Sequence, residues 1–336
     1  MKSAKVLLAT IIAISTLSVL AGNVAAQEKW KPTKTISVIV PWPAGGASDT
    51  VARMTSGVME QSMGQRMVVV NTPGGAGAIG TKEVWDKPHD GYTLTGNATV
   101  SVGSYAVLGK LEQTHRDWIY YLPIFTPNVI CVKGDSPIKS VSDLVAAMKA
   151  KPGAMVLSSA GVGSSGYFAS ELFKAAAGVT FRHVPYAGGV PAVMAVASGE
   201  AEVVMQLSVE VAELLRGGKL RALAVSSKVP LTIDGYVEIP PVQKFVPSFP
   251  DYGSYFGLMA PADLPKDVIA AYDDAFVKAA ASQAVKDYAK TKGAMPIAIY
   301  GKEAKDLTER LARKEAWILF DSGTGAKSPN DLKIAR

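Results

Sequence analysis

Apolar and polar positions alternate along the chain in two rhythms. Short β-rich runs, "TISVIVP" (35–41), "RMVVVN" (66–71), "YTLTG" (92–96), "AMVLSS" (154–159), "VTFRHVPY" (179–186), "AEVVMQ" (201–206) and "LRALAVSS" (220–227), read as strands. Stretches at 48–63, 77–86, 141–150, 165–177, 190–198 and 209–216 carry the helical period and fall between them. That order predicts an α/β fold with mainly parallel sheets. The last third turns helical, at 265–280, 283–291 and 302–319. Breaks fall at 123–137 and in the proline-rich 228–250. The length suggests two domains. The expected division is a discontinuous domain, 27–130 plus 229–336, around an inserted domain, 131–228, with crossings near 125–131 and 228–235.

The first residues read differently. Lys2 and Lys5 precede an apolar run from Val6 to Ala21, and Gly22–Ala26 has the small residues of a cleavage site. Residues 1–26 are therefore expected to be a signal peptide, cut before Gln27. The run is short of the ~20 residues that a membrane span needs. Export predicts a periplasmic protein. Its only cysteine, Cys131, excludes an intramolecular disulfide, so a core must hold it. With 48% apolar residues it has the material for one.

Charge changes the picture little. The formal balance is +6, and +4 without Lys2 and Lys5. The basic residues are scattered, so no nucleic-acid partner is expected.

Three glycine-rich loops follow strands and open helices: Pro43–Ser48, Asn71–Gly80 and Ser158–Gly166. Glycine lets a backbone approach a ligand, and a helix start offers free N–H groups with a partial positive charge. Such a loop can hold an anion with no charged side chain. One such loop is ordinary turn chemistry; three at matching strand ends favour a binding site. Two of them match GxGxxG, at Gly75/Gly77/Gly80 and Gly161/Gly163/Gly166, but neither opens the first βα unit, as a dinucleotide site would. "DSGTG" (321–325) has no second copy, and no GxSxG elbow occurs. His89, His115 and His183 lack metal-ligand spacing. No catalysis, cofactor or metal is expected. An exported α/β hydrolase is the opposing class.

Read together, "VPWPAGGASDTVAR", "NTPGGAGAIGT", "DGYTLTGNAT", "AGVGSSGYFASELFK", "FRHVPYAGGVPAV", "GKLRALAVSS" and "GLMAPADLP" resemble, in order, the periplasmic solute receptors of tripartite tricarboxylate transporters, the Bug family. The resemblance runs from about residue 30 to the C-terminus. It implies a two-domain Venus-flytrap fold of type II with two hinge crossings, acting as a monomer. The cleft would hold a small carboxylate (a di- or tricarboxylate or an aromatic acid) for delivery to membrane permease subunits; a receptor feeding a sensor is the alternative. Carried over by position, Trp42, Pro43, Ala44, Gly45, Gly46, Ala47 and Ser48 would hold one carboxylate. Asp49 would meet an ammonium group or cap the helix, the second being favoured because acids stabilise helix starts. Asn71, Ala78, Asn97 and Thr99 lie in matching loops of the first domain. Ser158, Ser159, Gly163, Ser164 and Ser165, then Tyr186 and Ala187, match the second. Tyr167 and Gln206 depart from the family's usual histidine and acidic or amide residues, which leaves the ligand open. Trp42, Tyr167 and Tyr186 could line a site for a longer or aromatic acid, or pack in the core.

Overall fold

The computed structural model describes residues 30–336; the expected leader at 1–26 lies outside them. The chain begins with β1 (Ile36–Val40), α1 (Ala47–Met63), β2 (Met67–Asn71), α2 (Ala78–Trp85), β3 (Thr93–Ala98) and the short α3 (Thr99–Ser104). A long strand, β4 (Trp118–Lys133), leads into α4 (Val141–Ala150), β5 (Val156–Ser159), α5 (Ser165–Ala177), β6 (Arg182–Pro185), α6 (Gly189–Ser198), β7 (Val203–Leu207), α7 (Ser208–Arg216) and β8 (Leu220–Val225). It closes with β9 (Gly253–Pro261), α8 (Lys266–Ala280), α9 (Gln283–Lys292), β10 (Met295–Tyr300) and α10 (Gly301–Asp321).

Two lobes form around two sheets that share β4. The strand order is β2-β1-β3-β9-β4-β7-β5-β6, with β10 and β8 also pairing to β4. β1, β2 and β3 pair in parallel, as do β5, β6 and β7. β4 pairs antiparallel to β9 up to Pro127, and antiparallel to β7 and β8 from Asn128 onward. The break expected at 123–137 is therefore wrong over most of its length: one strand runs through it. Its prolines misled. Pro123 has no N–H to give, and the β4–β9 ladder skips register between Tyr121 and Ile124, where Pro123 lies.

The helices form by amphipathic spacing. In α1 the buried Val51, Thr55, Met59 and Met63 recur every fourth residue, and left-handed Gly64 (φ 69°) ends the helix with its N–H on Glu60 O. α1 and α8 pack on the first sheet, where Ile36, Val38, Val40, Leu94, Leu258, Tyr272 and Phe276 form one core. Phe168, Phe173, Leu144 and Val203 of the second lobe belong to a core cluster that also takes in Val51 and Ile124 of the first.

α10 lies across α3, and Glu315 from α10 is buried there beside Gly103, with its Oε2 lacking a hydrogen-bond partner. Burial pushes its carboxyl pKa up to about 8, against a smaller opposing pull from Lys314. A group whose folded pKa is raised stabilises fully below its unfolded pKa and loses that contribution as pH rises through the folded value. Wild-type stability should therefore fall relative to Glu315→Gln between the ordinary glutamate pKa and pH about 8, by up to ~1.4 kcal/mol per pH unit, then run parallel above. Urea titrations at a series of pH values read this directly. Parallel curves throughout would show Glu315 ionised in the fold.

Candidate functional site

In each lobe the parallel strands deliver their C-terminal ends to the gap between the lobes, where helices begin, the usual place for a ligand in open α/β sheets. A cavity there contains about 470 Å³ of space, part of it open to solvent. Its walls are the starts of α1 (Gly46, Ala47, Ser48), α5 (Ser164, Ser165), α6 (Gly189, Val190, Pro191) and α7 (Leu207, Glu210). Trp42, Pro43, Ala98, Val100, Ser101, Ala160, Gly188, Gln206 and Phe256 complete it. α1, α6 and α7 have no side-chain N-cap, so their first N–H groups face the cavity side uncapped by their own helix. α5 is capped: Ser164 Oγ accepts from Tyr167 N.

Eight of the expected residues line this cavity: Trp42, Pro43, Gly46, Ala47, Ser48, Ser164, Ser165 and Gln206. Several others hold the loops from behind. Asp49 is buried beneath the first loop. Its Oδ2 accepts from Gly45 N at 2.9 Å, and its Oδ1 accepts from Asn71 Nδ2 and Arg53 Nε, each at 2.9 Å. Burial alone would raise its carboxyl pKa; the bonds from Arg53, Gly45 and Asn71 outweigh that and hold it below the ordinary aspartate value. Asn71 also donates to Trp42 O at 3.0 Å. Trp42 Nε1 donates to Asn97 Oδ1 at 2.9 Å, while Asn97 Nδ2 donates to Thr81 and Tyr105. Thus Asp49, Asn71 and Asn97 form a clasp that fixes the loop and orients Trp42.

The remaining expected residues lie off the lining. Ala44 and Gly45 are exposed on the outer side of the loop, and Ala78 and Thr99 are buried behind it. Ser158 Oγ donates to Ala192 O, and Ser159 Oγ pairs with His183 Nε2. Tyr167 packs edge-on against Phe168 and His183, its hydroxyl on Thr324. Tyr186 donates to Glu200 near the surface, next to exposed Ala187. Gly163 lies at φ +88°, where an added Cβ would meet Leu108 and Ser104 of the other lobe at 2.8 Å. The second loop contributes no wall. Gly77 gives way to Tyr105 and Trp42, and Gly80 to Thr72 and Pro41, so these glycines serve close packing.

Sequence reasoning missed Glu210. From α7 it reaches across the gap: its Oε1 accepts from Ala47 N, the first residue of α1, at 3.0 Å. Its Oε2 accepts from Gln206 Nε2 at 2.7 Å. Burial raises its carboxyl pKa above the ordinary glutamate value, opposed by the Ala47 N–H and the Gln206 amide. The first glycine loop, expected to hold a ligand carboxylate, thus holds one of the protein's own. In sequence, Glu210 reads as one more charge on a helix face; only its place in the first turn after a buried strand pointed inward.

The model of the tripartite tricarboxylate transporter receptor family matches residues 51–320. A protein from the tcbD–tcbE intergenic region of Pseudomonas sp. strain P51 is 32% identical, covering 78% of each chain. The structure of the periplasmic binding protein BugD superposes with a TM-score of 0.80 at 22% identity, over 88% of this chain and 99% of its own. A protein of R. palustris solved with adipate gives a TM-score of 0.77 at 24% identity, over 87% and 98%.

Asp49→Ala removes three bonds from a buried carboxylate and should cost about 2–3 kcal/mol of unfolding free energy. Arg53→Ala should cost less than ~1 kcal/mol, because that side chain is about half exposed and its ion pair is screened. Denaturant melts of both variants compare the two. Equal losses would assign the clasp to the ion pair rather than to the loop bonds.

Proposed function

The chain belongs to the tripartite tricarboxylate transporter receptor family, and from that premise we propose that it captures a small carboxylate in the gap between its lobes and presents it to membrane permease subunits. It works outside the cytoplasm, where its leader sends it. The observation that carries this reading is the cavity wall itself: helix starts and serine hydroxyls converge there, with no lysine, arginine or histidine. That set binds an anion through backbone dipoles.

The ligand's carboxylate lies against the start of α5, near Ser164, Ser165 and Ser101. The first loop is less available, since Glu210 already sits on Ala47 N. Trp42, Phe256, Val100 and Leu207 supply apolar walls for the carbon skeleton. The R. palustris neighbour, solved with adipate, supports a carboxylate as the class of ligand. Micromolar affinity needs about 8 kcal/mol, which a few charge-assisted bonds at roughly 1.5–3 kcal/mol each supply. No nucleophile or acid–base pair lines the cavity, and the protein releases its ligand unchanged. The lobes open and close at the crossings near 125–131 and 228–235.

A thermal-shift screen with monocarboxylates, dicarboxylates, tricarboxylates, aromatic acids and amino acids tests this. A true ligand at a hundredfold excess over its dissociation constant should add about 2.7 kcal/mol of stability. If no carboxylate of any class raises the melting temperature, the reading is wrong.

A further inference from the structure

Glu210 is the one ionisable side chain among the cavity's lining residues. It is built into the site from several sides. Ala47 N–H of one lobe and the Gln206 amide of the other each hold one of its oxygens. Glycine flanks it twice. A Cβ on Gly46 would sit 3.3 Å from Glu210 Oε1, and a Cβ on Gly189 would collide with Oε2. Gly46 itself has an ordinary φ of −74°, so its missing side chain is needed for space and not for conformation.

This end of the cavity is rich in acceptors. An ionised carboxylate has about four acceptor directions, and Glu210 uses two. Gln206, which lines the same wall, has a buried Oε1 with no hydrogen-bond partner. No basic side chain lines the cavity to offset the charge. A ligand carboxylate brought against Glu210 would place two carboxyl groups side by side where little water screens them and only neutral donors are at hand, which is costly. An N–H or O–H group brought there can use the remaining acceptor directions of Glu210. Of the serines at the start of α5, Ser165 gives its proton to Asn128 Oδ1, which leaves the Ser164 hydroxyl to meet a ligand carboxylate.

We propose that Glu210, with Gln206, makes this receptor selective for acids that carry one carboxylate and, at the far end, a hydrogen-bond donor, an ammonium group above all, and turns it against dicarboxylates and tricarboxylates. The proposal rests on the carboxylate-receptor reading above. It goes beyond it by assigning to Glu210 the choice between a second carboxylate and a hydrogen-bond donor on the ligand.

Matched ligands test it by isothermal titration calorimetry on the full chain: succinate against γ-aminobutyrate, glutarate against δ-aminovalerate, adipate against ε-aminocaproate. Each pair keeps its length and exchanges one carboxylate for an ammonium. In every pair that binds, the wild type should prefer the amino acid by about tenfold or more, as expected for a charge-assisted bond gained in place of a repulsion. Glu210→Gln should bring the pair to within about threefold or reverse it, because its neutral amide keeps the shape and a partner for Ala47 N. Its circular dichroism and melting temperature report that it folds, and the wild-type comparison needs no substitution. The proposal is overturned if the wild type binds the dicarboxylate as tightly as its partner, or if the preference survives Glu210→Gln unchanged. If neither protein binds any of these acids while another carboxylate raises the melting temperature, this proposal alone falls; if no carboxylate of any class does so, the carboxylate-receptor reading falls and this proposal with it.

Discussion

Strand β4 hydrogen-bonds to β9 over its first part and to β7 and β8 over its last, so the two lobes share one continuous backbone. Two sheets joined through a shared strand cannot separate, only tilt. Their parallel strands point C-terminal ends toward the same gap, and the helices that follow start there. Partial positive charge from several helix starts therefore gathers in one place without a basic side chain. That partial charge at the gap is a property of the topology before any side chain is chosen.

Side chains then fix that arrangement. Polar residues in the glycine loops look like ligand contacts when only their order is known. In the fold, Asp49, Asn71 and Asn97 spend their hydrogen bonds on the loop and on Trp42. A backbone cradle must be rigid before the ligand comes, because ordering it at binding would subtract from affinity. Contacts across the gap complete the enclosure: Ser104 Oγ lies 3.4 Å from Gly163 O, and a side chain on Gly188 would press on Pro43.

Much of this was legible in the sequence. The alternation of strands and helices through β8 was readable because those elements keep clean periods between glycine and proline turns. β4 was not, since two prolines sit in it, Pro123 at an irregular step in its pairing with β9 and Pro127 at the last pair of that ladder. β9 and β10 were missed as well; β9 ("GSYFGLMAP") is buried almost throughout and shows no alternation. At the site, glycine marked the loops but not their duties: Gly46 and Gly189 make room for a carboxylate, Gly77 and Gly80 for a neighbouring ring and strand. Glu210 was hidden because its partner across the gap, Ala47, and the glycine that leaves it room, Gly46, lie far away in the chain.

Gly189 has a consequence for how such receptors diversify. Glu210 keeps its position only while residue 189 lacks a side chain, since even one methyl group would take the space of its Oε2. Glycine and alanine codons differ by a single base. The acidic plug of this cleft is thus held by a position that one point mutation can close, and a lineage could trade one ligand class for another there without touching a single residue that contacts the ligand's carboxylate.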